Sequence, residues 1–547
     1  GQAGDALTVG LENVALGFTS LSTDTKGNYS TAIGTYALAA QNFTTATSAL
    51  NTAVGYSAGS AVTTGVKNTL IGALSGDAST TANNNTGVGY ASLSANTTGA
   101  NNAAVGRESL LSNTTGDSNS AFGSTSLDAN TTGDNNTAIG SAALGANTTA
   151  SNNTAVGFLA GAAVTTGVQN TLIGASAGDS LTEGDDNIAL GYNALSTEDT
   201  GSKSIAIGFE ALKTQNNAAS NHNVAIGHAA GTAVTTGQAN TFIGGLAGDA
   251  DTTGTNNTAV GKGSLTANTT GSSQTAIGFE ALAAATTSDE NTAVGRRAGA
   301  SVTTGANNTF VGSQAGDATD DGQQNVAVGH QALSANCGNG NVAVGGEALL
   351  PCTGAFNTAL GKDAGVSVTS GSNNMFLGFQ SGVTGSPGGQ QTTSSDRIAL
   401  GDENVTNCHI QVDWTVASDQ RDKTDFTALD LGLDFVKALA PVTYKWDKRS
   451  KYGDKTADDY DLNAQTPDGT HKEDWLDIGF KAQEVQTLEE AAGYTTAAKK
   501  NLTVSTSEDG KQMGIQYSKF IPILVKAMQE QNALIEALTA RITTLEG

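Results

Sequence analysis

The sequence predicts a mostly β protein, in which a parallel β-roll or β-solenoid of about 17-residue coils precedes a small α+β domain. A glycine closes a short segment of the N-T-A-V-G type again and again, from Gly17 to Gly401, most often every 17 residues. Short alternating segments separated by T-T-G, T-G-D and N-N turns are typical of strands and corners. After Gly401 the period ends, and helical spacing and frequent charges take its place.

The composition supports a repeat array and excludes several classes of partner. A chain of 547 residues with 69 glycines and 5% aromatic residues cannot fill one conventional large core. The formal net charge of −25 argues against binding to nucleic acid or to an anionic membrane, since both need clustered Lys and Arg. No run of about 20 apolar residues is present, so we expect no membrane insertion.

Two alternating positions define the faces of each predicted strand. The residue before each repeat glycine is large and apolar, and the residue two before it is usually alanine. Because neighbours in a strand point to opposite faces, we expect the large residues to line a core and the alanines to allow close approach by a neighbour. Alanines left in water would form an extended apolar strip, which favours a homotrimer over the alternative, a monomeric β-solenoid.

A longer period is visible four residues after each repeat glycine. That position holds leucine in some coils and glycine in others, and the glycine coils come in adjacent pairs. In the second coil of each pair the usual alanine is replaced by a bulky residue. Protein interiors keep near-crystalline density, so this predicts that the bulky side chain fills the space of the missing leucines and that coils stack in register. The replacements are Leu70, Leu172, Phe242, Phe310 and Phe376.

The sequence gives only weak evidence for ligand-binding residues in the coils. Cys337 and Cys352 lie at nearly matching places in consecutive coils, and two interpretations stay open: two small buried residues, which we favour, or a disulfide. Recurring acidic turns could hold calcium, but Asx turns explain them with fewer assumptions. These turns contain Asp77, Asp179, Asp249 and Asp317. The histidines show no ligand spacing, and we expect no metal and no cofactor.

We predict a repeat shaft over residues 1–401, a connector over 402–417 and a C-terminal domain over 418–547. A helix over 517–546 has apolar residues spaced by three and four, which is the seam of a coiled coil with one polar layer at Gln531. An amphipathic helix packed on its own domain is the alternative. The seam consists of Ile521, Leu524, Met528, Gln531, Ile535, Leu538, Ile542 and Leu545.

The repeats resemble the head repeats of trimeric autotransporter adhesins and, more closely, the N-T-A-[VI]-G shafts of phage tail fibres. Both families are trimers of parallel β-rolls or interwoven β-prisms, so the resemblance implies a homotrimer. The 17-residue period departs from the shorter repeat of the adhesin heads.

Four segments of the C-terminal domain carry a second resemblance. "SDQRDK" (418–423), "VTYKWD" (442–447), "GFKAQEV" (479–485) and "YSKFIPILVKAMQEQN" (517–532) occur in that order. Together they resemble the endosialidase-type intramolecular chaperone, an auto-processing domain at the end of phage tail spikes and fibres. The resemblance implies that the domain trimerises, guides folding of the fibre upstream, and then cuts the chain immediately before the motif serine.

Carried over to this chain, the scissile bond is Ala417–Ser418, with Ser418 as the nucleophile and Lys423 as the general base. A lysine can take a proton from a serine hydroxyl only if burial lowers its pKa towards neutrality. Asp419 and Arg421 are expected to brace the motif. The chain would be a single-turnover serine autoprotease and not a turnover enzyme. The plainer alternative is that Ser-Asp caps an ordinary helix.

The expected function is therefore a structural virion tail fibre or appendage for host attachment, assembled in the host cytoplasm. Expected partners are two further copies of the chain, a host-surface receptor, and a virion protein bound through an N-terminal region missing before Gly1. The best candidates for a receptor site are the irregular coils 34–55, 208–227 and 378–401. Two alternatives are a bacterial trimeric surface adhesin, although the chain's last segment is a heptad helix, and an ice-binding β-solenoid, whose threonine column is broken here.

Overall fold

The computed structural model describes residues 1–411, 414–455, 457, 459–497, 500 and 502–547. It divides into two compact units, residues 1–323 and residues 324–547. Residues 412 and 413 of the predicted connector lie outside the described residues. The predicted boundaries at 401 and 417 stay predictions.

Residues 1–323 fold into a parallel β-solenoid of very short strands. Most coils contribute one three-residue strand directly before the repeat glycine, and consecutive strands pair in parallel and in register, as Ala53 does with Leu70. A second, two-stranded sheet joins β2 to β4. The strands are β1 (Val14–Leu16), β2 (Gly27–Asn28), β3 (Thr31–Ile33), β4 (Thr47–Ser48), β5 (Thr52–Val54), β6 (Thr69–Ile71), β7 (Thr86–Val88), β8 (Ala103–Val105), β9 (Ser120–Phe122), β10 (Thr137–Ile139), β11 (Thr154–Val156), β12 (Thr171–Ile173), β13 (Ile188–Leu190), β14 (Ile205–Ile207), β15 (Val224–Ile226), β16 (Thr241–Ile243), β17 (Thr258–Val260), β18 (Thr275–Ile277), β19 (Thr292–Val294) and β20 (Thr309–Val311).

Residues 324–547 contain further coils of the same kind and the C-terminal domain. The coil strands are again parallel and in register: β21 (Val326–Val328), β22 (Val342–Val344), β23 (Thr358–Leu360), β24 (Met375–Leu377) and β25 (Ile398–Leu400). The domain adds α1 (Leu433–Ala438), β26 (Val442–Tyr444), β27 (Asp477–Gly479), α2 (Ala482–Ala491), β28 (Val504–Thr506), β29 (Met513–Ile515) and α3 (Phe520–Glu546). No helix among the described residues is long and apolar enough to cross a membrane. A mostly β fold with coils of about 17 residues and a C-terminal helix is thus confirmed.

The two faces of the strands are reversed relative to the prediction. The alanines, such as Ala53 and Ala104, are fully buried, whereas the large residues before the glycines are half-buried or exposed, with Ile71 38% and Phe122 42% exposed. The expectation that the large residues line the core was wrong. In most coils the middle of the strand holds only an alanine methyl group, and the leucines four residues after the glycines fill the rest of the interior.

The predicted exchange of volume between coils is confirmed. Gly231 and Gly248 flank Phe242, and a Cβ on either glycine would lie 2.8 Å or 2.5 Å from its ring. At Gly59, a Cβ would lie 2.9 Å from Leu70. The other bulky replacements, Leu172, Phe310 and Phe376, stand against their own glycine pairs in the same way.

The repeat glycine itself has a backbone reason. At Gly89 φ is +141°, and a Cβ would lie 2.2 Å from the carbonyl oxygen of Gly106 in the next coil. A side chain there would be strained and would push the coils apart. Close stacking of the coils therefore requires glycine at this position.

Buried asparagines four residues before the repeat glycines hold the coils together. The Oδ1 atom of Asn68 accepts the backbone N–H of Asn85 in the next coil at 3.0 Å, and the Nδ2 atom of Asn85 donates to the carbonyl oxygen of Gly99 at 2.8 Å. The same pair of bonds recurs along the coils. Each side chain thus satisfies backbone groups that turns leave without partners inside the coil.

Two of the acidic turns carry hydrogen bonds between coils, and both candidate cysteines are buried. Cys337 and Cys352 are buried thiols, and burial raises the pKa of Cys352 to about 11. The carboxylates of Asp77 and Asp249 accept hydroxyl groups of Ser94 and Thr266 in the following coil. Within the described ranges, no three His, Cys, Asp or Glu side chains come together as metal ligands.

The C-terminal domain has its own small core. Phe435 of α1, Val485 of α2, Val504 of β28 and Phe520 of α3 pack against each other in one buried cluster. Glu530 of α3 also accepts the backbone N–H of Leu433 at 2.7 Å, so it caps the start of α1. The core therefore ties the beginning of α3 to the rest of the domain.

Candidate functional site

Residues 418–423 form a tight turn that returns Lys423 to Ser418. Residues Gln420–Asp422 make one turn of 3-10 helix, and the Asp419 carboxylate caps it by accepting the backbone N–H of Arg421 at 2.9 Å. The Lys423 Nζ atom lies 2.5 Å from the Ser418 Oγ atom and 3.4 Å from the Ser418 carbonyl oxygen. A serine hydroxyl and a lysine amine in hydrogen-bond contact are the geometry that a Ser-Lys dyad needs.

Asp419 and Arg421 hold this turn from the side. The Arg421 guanidinium donates to both carboxylate oxygens of Asp419, from Nε at 3.1 Å to each and from Nη2 to Oδ2 at 2.6 Å. These bonds lower the pKa of Asp419 and raise the pKa of Arg421. The N-cap interpretation is correct for Asp419, and it coexists with the contact between Ser418 and Lys423.

All residues of the turn are exposed in the single chain. The hydrogen bonds and ion pairs that the described structure gives to residues 418–423 lie within that segment. An ammonium group in water keeps its proton at neutral pH, and burial is the ordinary way to remove it. The turn therefore has the distances of a dyad but lacks its desolvation.

The other three motif segments come together in the folded domain. β26 and β27 pair antiparallel, which joins the second segment to the third through Val442 and Gly479. The Tyr517 hydroxyl of the fourth segment accepts the backbone N–H of Phe480 at 3.2 Å, and the Phe480 ring lies 5.4 Å from the Phe520 ring. Sequence order alone suggested a common domain, and the contacts give it a physical basis.

Residues 418–494 match a family model that is described as chaperone of endosialidase. The chain carries an endosialidase chaperone domain. The match begins at Ser418, covers α1, β26, β27 and α2, and ends before β28. A search of the curated proteins and a search of the solved structures each found no match.

Helix α3 of the C-terminal domain turns its predicted seam towards solvent. Phe520, Ile523 and Ala527, on another side of the helix, are buried against the domain. The apolar seam residues are between 45% and 84% exposed. They are Ile521, Leu524, Met528, Ile535, Leu538, Ile542 and Leu545, and the polar layer Gln531 is exposed as well. Packing on the C-terminal domain, the alternative for this helix, therefore does not use the seam.

The anchoring of two irregular coils, 34–55 and 208–227, was not predicted from the sequence. The Gln41 side chain donates to the buried carboxylate of Asp24 at 2.6 Å, and a backbone N–H two residues further along donates to the same carboxylate. Gln215 and Glu198 repeat this arrangement at 2.8 Å, again with a backbone N–H two residues later. In both places an acidic residue lies one coil before the glutamine. This shared pattern was present in the sequence and could have been found by aligning the coils.

A second missed residue is Glu508, in the turn between β28 and β29. Its carboxylate accepts hydrogen bonds from Thr392, Thr393 and Ser394 of the third irregular coil, 378–401. Partial burial acts to raise the pKa of Glu508, but these hydrogen bonds outweigh it and lower that pKa to about 2. A lone glutamate more than a hundred residues from its partners left no signal in the sequence.

Proposed function

We propose that this protein is a homotrimeric tail-fibre shaft whose C-terminal chaperone domain assembles it and then cuts itself off between Ala417 and Ser418. The contact between the Ser418 hydroxyl and the Lys423 amine at 2.5 Å carries the cleavage part of the proposal. The endosialidase chaperone domain and the β-solenoid of 17-residue coils support the fibre part.

Exposed apolar surface supports assembly with further copies of the chain. The seam of α3 is a regular heptad pattern, and identical seams pair with each other in coiled coils. Trp475, just before β27, and Ile478, within it, are 85% and 76% exposed. Along the coils, the large residues before the repeat glycines form a further apolar strip. Surfaces of this kind mark interaction sites, and in the proposed trimer they are the surfaces available to the other two copies.

The proposed cleavage uses Ser418 against the carbonyl carbon of the residue before it. Neutral Lys423 takes the hydroxyl proton of Ser418, and Oγ attacks the carbonyl carbon of Ala417. The bond from that carbon to the Ser418 nitrogen breaks, and Lys423 returns the proton to the nitrogen. Water then hydrolyses the resulting ester, which leaves a carboxylate on Ala417 and a free amine and hydroxyl on Ser418.

Assembly would supply the desolvation that the exposed turn lacks. Lys423 becomes a base when neighbouring chains exclude water from the turn, because burial disfavours the ammonium form. Cutting would then follow correct assembly and not precede it. The arrangement of Asp419 and Arg421 keeps the turn ready for this step.

We propose that the protein functions in the virion and that its shaft attaches to the host. The two irregular coils 34–55 and 208–227 are the proposed receptor-binding loops, because buried carboxylates fix their bases while their tips face solvent. The partners in this proposal are a host-surface receptor and a virion protein.

A denaturing gel tests the cleavage. The wild-type chain is expected to give a fragment of about 130 residues, corresponding to 418–547, and the Ser418→Ala variant is expected to stay whole. Thr424→Ala, which removes a hydroxyl just beyond the turn, is the matched control and is expected to be cut like the wild type. An uncut wild-type trimer would disprove the cleavage, and a monomer in light scattering would disprove the trimeric shaft.

A further inference from the structure

One threonine in most coils, nine residues before the repeat glycine, bonds to the next coil in a constant way. The backbone N–H and the hydroxyl of Thr63 both donate to the carbonyl oxygen of Thr80, at 2.9 Å and 3.1 Å. Thr80 makes the same two bonds to the next threonine of the column, at 2.9 Å and 3.0 Å. Near the end of the repeats, Thr369 donates to the carbonyl oxygen of Thr392 at 2.8 Å and 3.1 Å. Each coil thus needs an acceptor from the coil that follows.

Thr392 belongs to the last coil among the described residues, and its acceptor comes from the chaperone domain. Its N–H and its hydroxyl donate to the Glu508 carboxylate at 3.3 Å and 3.2 Å. The same carboxylate accepts the N–H of Thr393 at 3.1 Å and its hydroxyl at 2.6 Å, and both the N–H and the hydroxyl of Ser394. Glu508 therefore occupies the place of the missing carbonyl group and meets three successive residues.

A second set of contacts joins the chaperone domain to Glu403. Lys448 of the chaperone domain donates to the backbone carbonyl oxygen of Glu403 at 2.6 Å, and Lys455 forms an ion pair with the buried Glu403 side chain. Both partners of these contacts, the 392–394 segment and Glu403, precede Ala417 in the sequence. A cut after Ala417 would leave all of these contacts intact.

We propose that Glu508 is the residue by which the chaperone domain recognises the open end of the solenoid, presenting a carboxylate where a further coil would present its carbonyl oxygen. The partner of this site is the row of backbone N–H and hydroxyl groups on residues 392–394. The contact closes the last coil while the shaft folds, and it keeps the domain bound after the chain is cut. This inference rests on the proposed chaperone function of the domain.

Hydrogen exchange on the full-length Ser418→Ala protein tests the contact without depending on cleavage. The amides of Thr392, Thr393 and Ser394 are expected to exchange slowly. Adding Glu508→Gln, which keeps the shape but removes the charge, is expected to speed their exchange roughly tenfold or more, because hydrogen bonds to a charged acceptor are the strong ones. Glu490→Gln is the matched control, since Glu490 is an exposed carboxylate of the same domain. It is expected to change nothing.

The outcomes separate this inference from the proposed function. Protection at the amides of 392–394 that survives Glu508→Gln overturns the inference, whatever the oligomeric state. Amides of earlier coils, such as Thr369, serve as the folding control and are expected to stay protected in every variant. If Ser418→Ala is monomeric, the trimeric shaft is wrong, but loss of protection on Glu508→Gln still supports the edge contact.

Discussion

The ring of Phe242 fills the space that a side chain on Gly248 would need, since a Cβ there would lie 2.5 Å from it. Leu265, at the equivalent place one coil later, has φ +52°, close to the +57° of Gly248, so the backbone itself accepts leucine. We expect Gly248→Leu to lower the free energy of unfolding by about 3 kcal/mol and Phe242→Ala by about 3–5 kcal/mol. The double variant is expected to lose far less than the sum in urea unfolding. If the double variant lost as much free energy of unfolding as the two single variants together, the exchange of volume between Gly248 and Phe242 would be contradicted.

The dyad geometry predicts different effects for two positions of the turn. Lys423→Met removes the only amine within 2.5 Å of the Ser418 hydroxyl in the described structure and is expected to abolish cleavage. Arg421→Met removes the clamp on Asp419 and is expected to slow cleavage by about 10- to 100-fold, because it disturbs position and not chemistry. The time course of cutting on a gel measures both. Cleavage of Lys423→Met at the wild-type rate would contradict the assignment of the base.

The contact between Glu508 and residues 392–394 predicts an acid-sensitive end of the shaft. The pKa of Glu508 is lowered from 4.5 to about 2 in the fold. A lowered pKa means that the stabilisation is complete above about 4.5 and is lost as the pH falls towards about 2. We expect protection of the 392–394 amides at pH 5 and its loss in stronger acid, measured by hydrogen exchange and corrected for the intrinsic rate. In Glu508→Gln, the corrected protection is expected not to change over that range.

A buried carboxylate in the coils predicts a stabilising substitution. Burial raises the pKa of Asp251 from 3.8 to about 6, so stability falls as the pH rises from about 3.8 to about 6 and stays lower above it. Asparagine occupies the equivalent place at Asn96 and Asn268. Asp251→Asn is therefore expected to raise the stability at pH 7 by about 1–3 kcal/mol and to flatten that pH dependence. Thermal unfolding at pH 4 and pH 7 measures it, and an equal or lower midpoint at pH 7 would contradict it.

The exposed seam of α3 predicts which variants stay monomeric. Leu538→Asp places a charge in the seam and is expected to prevent trimerisation, whereas Ala537→Asp, one residue away and outside the seam, is expected to have little effect. Phe520 and Ile523 hold the helix to the domain in both variants. Light scattering gives the oligomeric state. A trimer in Leu538→Asp would exclude the seam as the assembly surface.

The period of the repeats made most of the shaft predictable, but not the direction of its faces. Alternation separates two faces of a strand without telling which one is inside. The usual rule that larger apolar residues are buried gave the wrong answer, because buried leucines such as Leu110 fill the interior of most coils and leave space only for a methyl group, such as that of Ala104, in the middle of the strand. The exchange between Gly248 and Phe242 was predictable, since near neighbours in a stack must share a fixed volume.

The candidate site was predictable only through local motifs. Ser418 and Lys423 lie five residues apart, so a single turn brings them together, and the sequence contains that information. Glu508 and Thr392 are 116 residues apart and belong to different folding elements, so nothing in the order of residues links them. The contact between Asp24 and Gln41 is intermediate in how well the sequence predicts it, because their separation of 17 residues equals one coil.

The pairing of each coil with its neighbour in sequence also governs how quickly the shaft can form. Contacts between residues about 17 apart close short loops, so a coil that has formed can template the next within each unit at little entropic cost. The slow event is the first coil, which has no neighbour to pack on. Helix α3 follows every coil in the sequence. If folding of the first coil depends on α3, it begins only after the ribosome has synthesised all the coils. In the proposed trimer, three chains that start together at that end would then advance at the same pace, coil by coil, towards the N-terminal side.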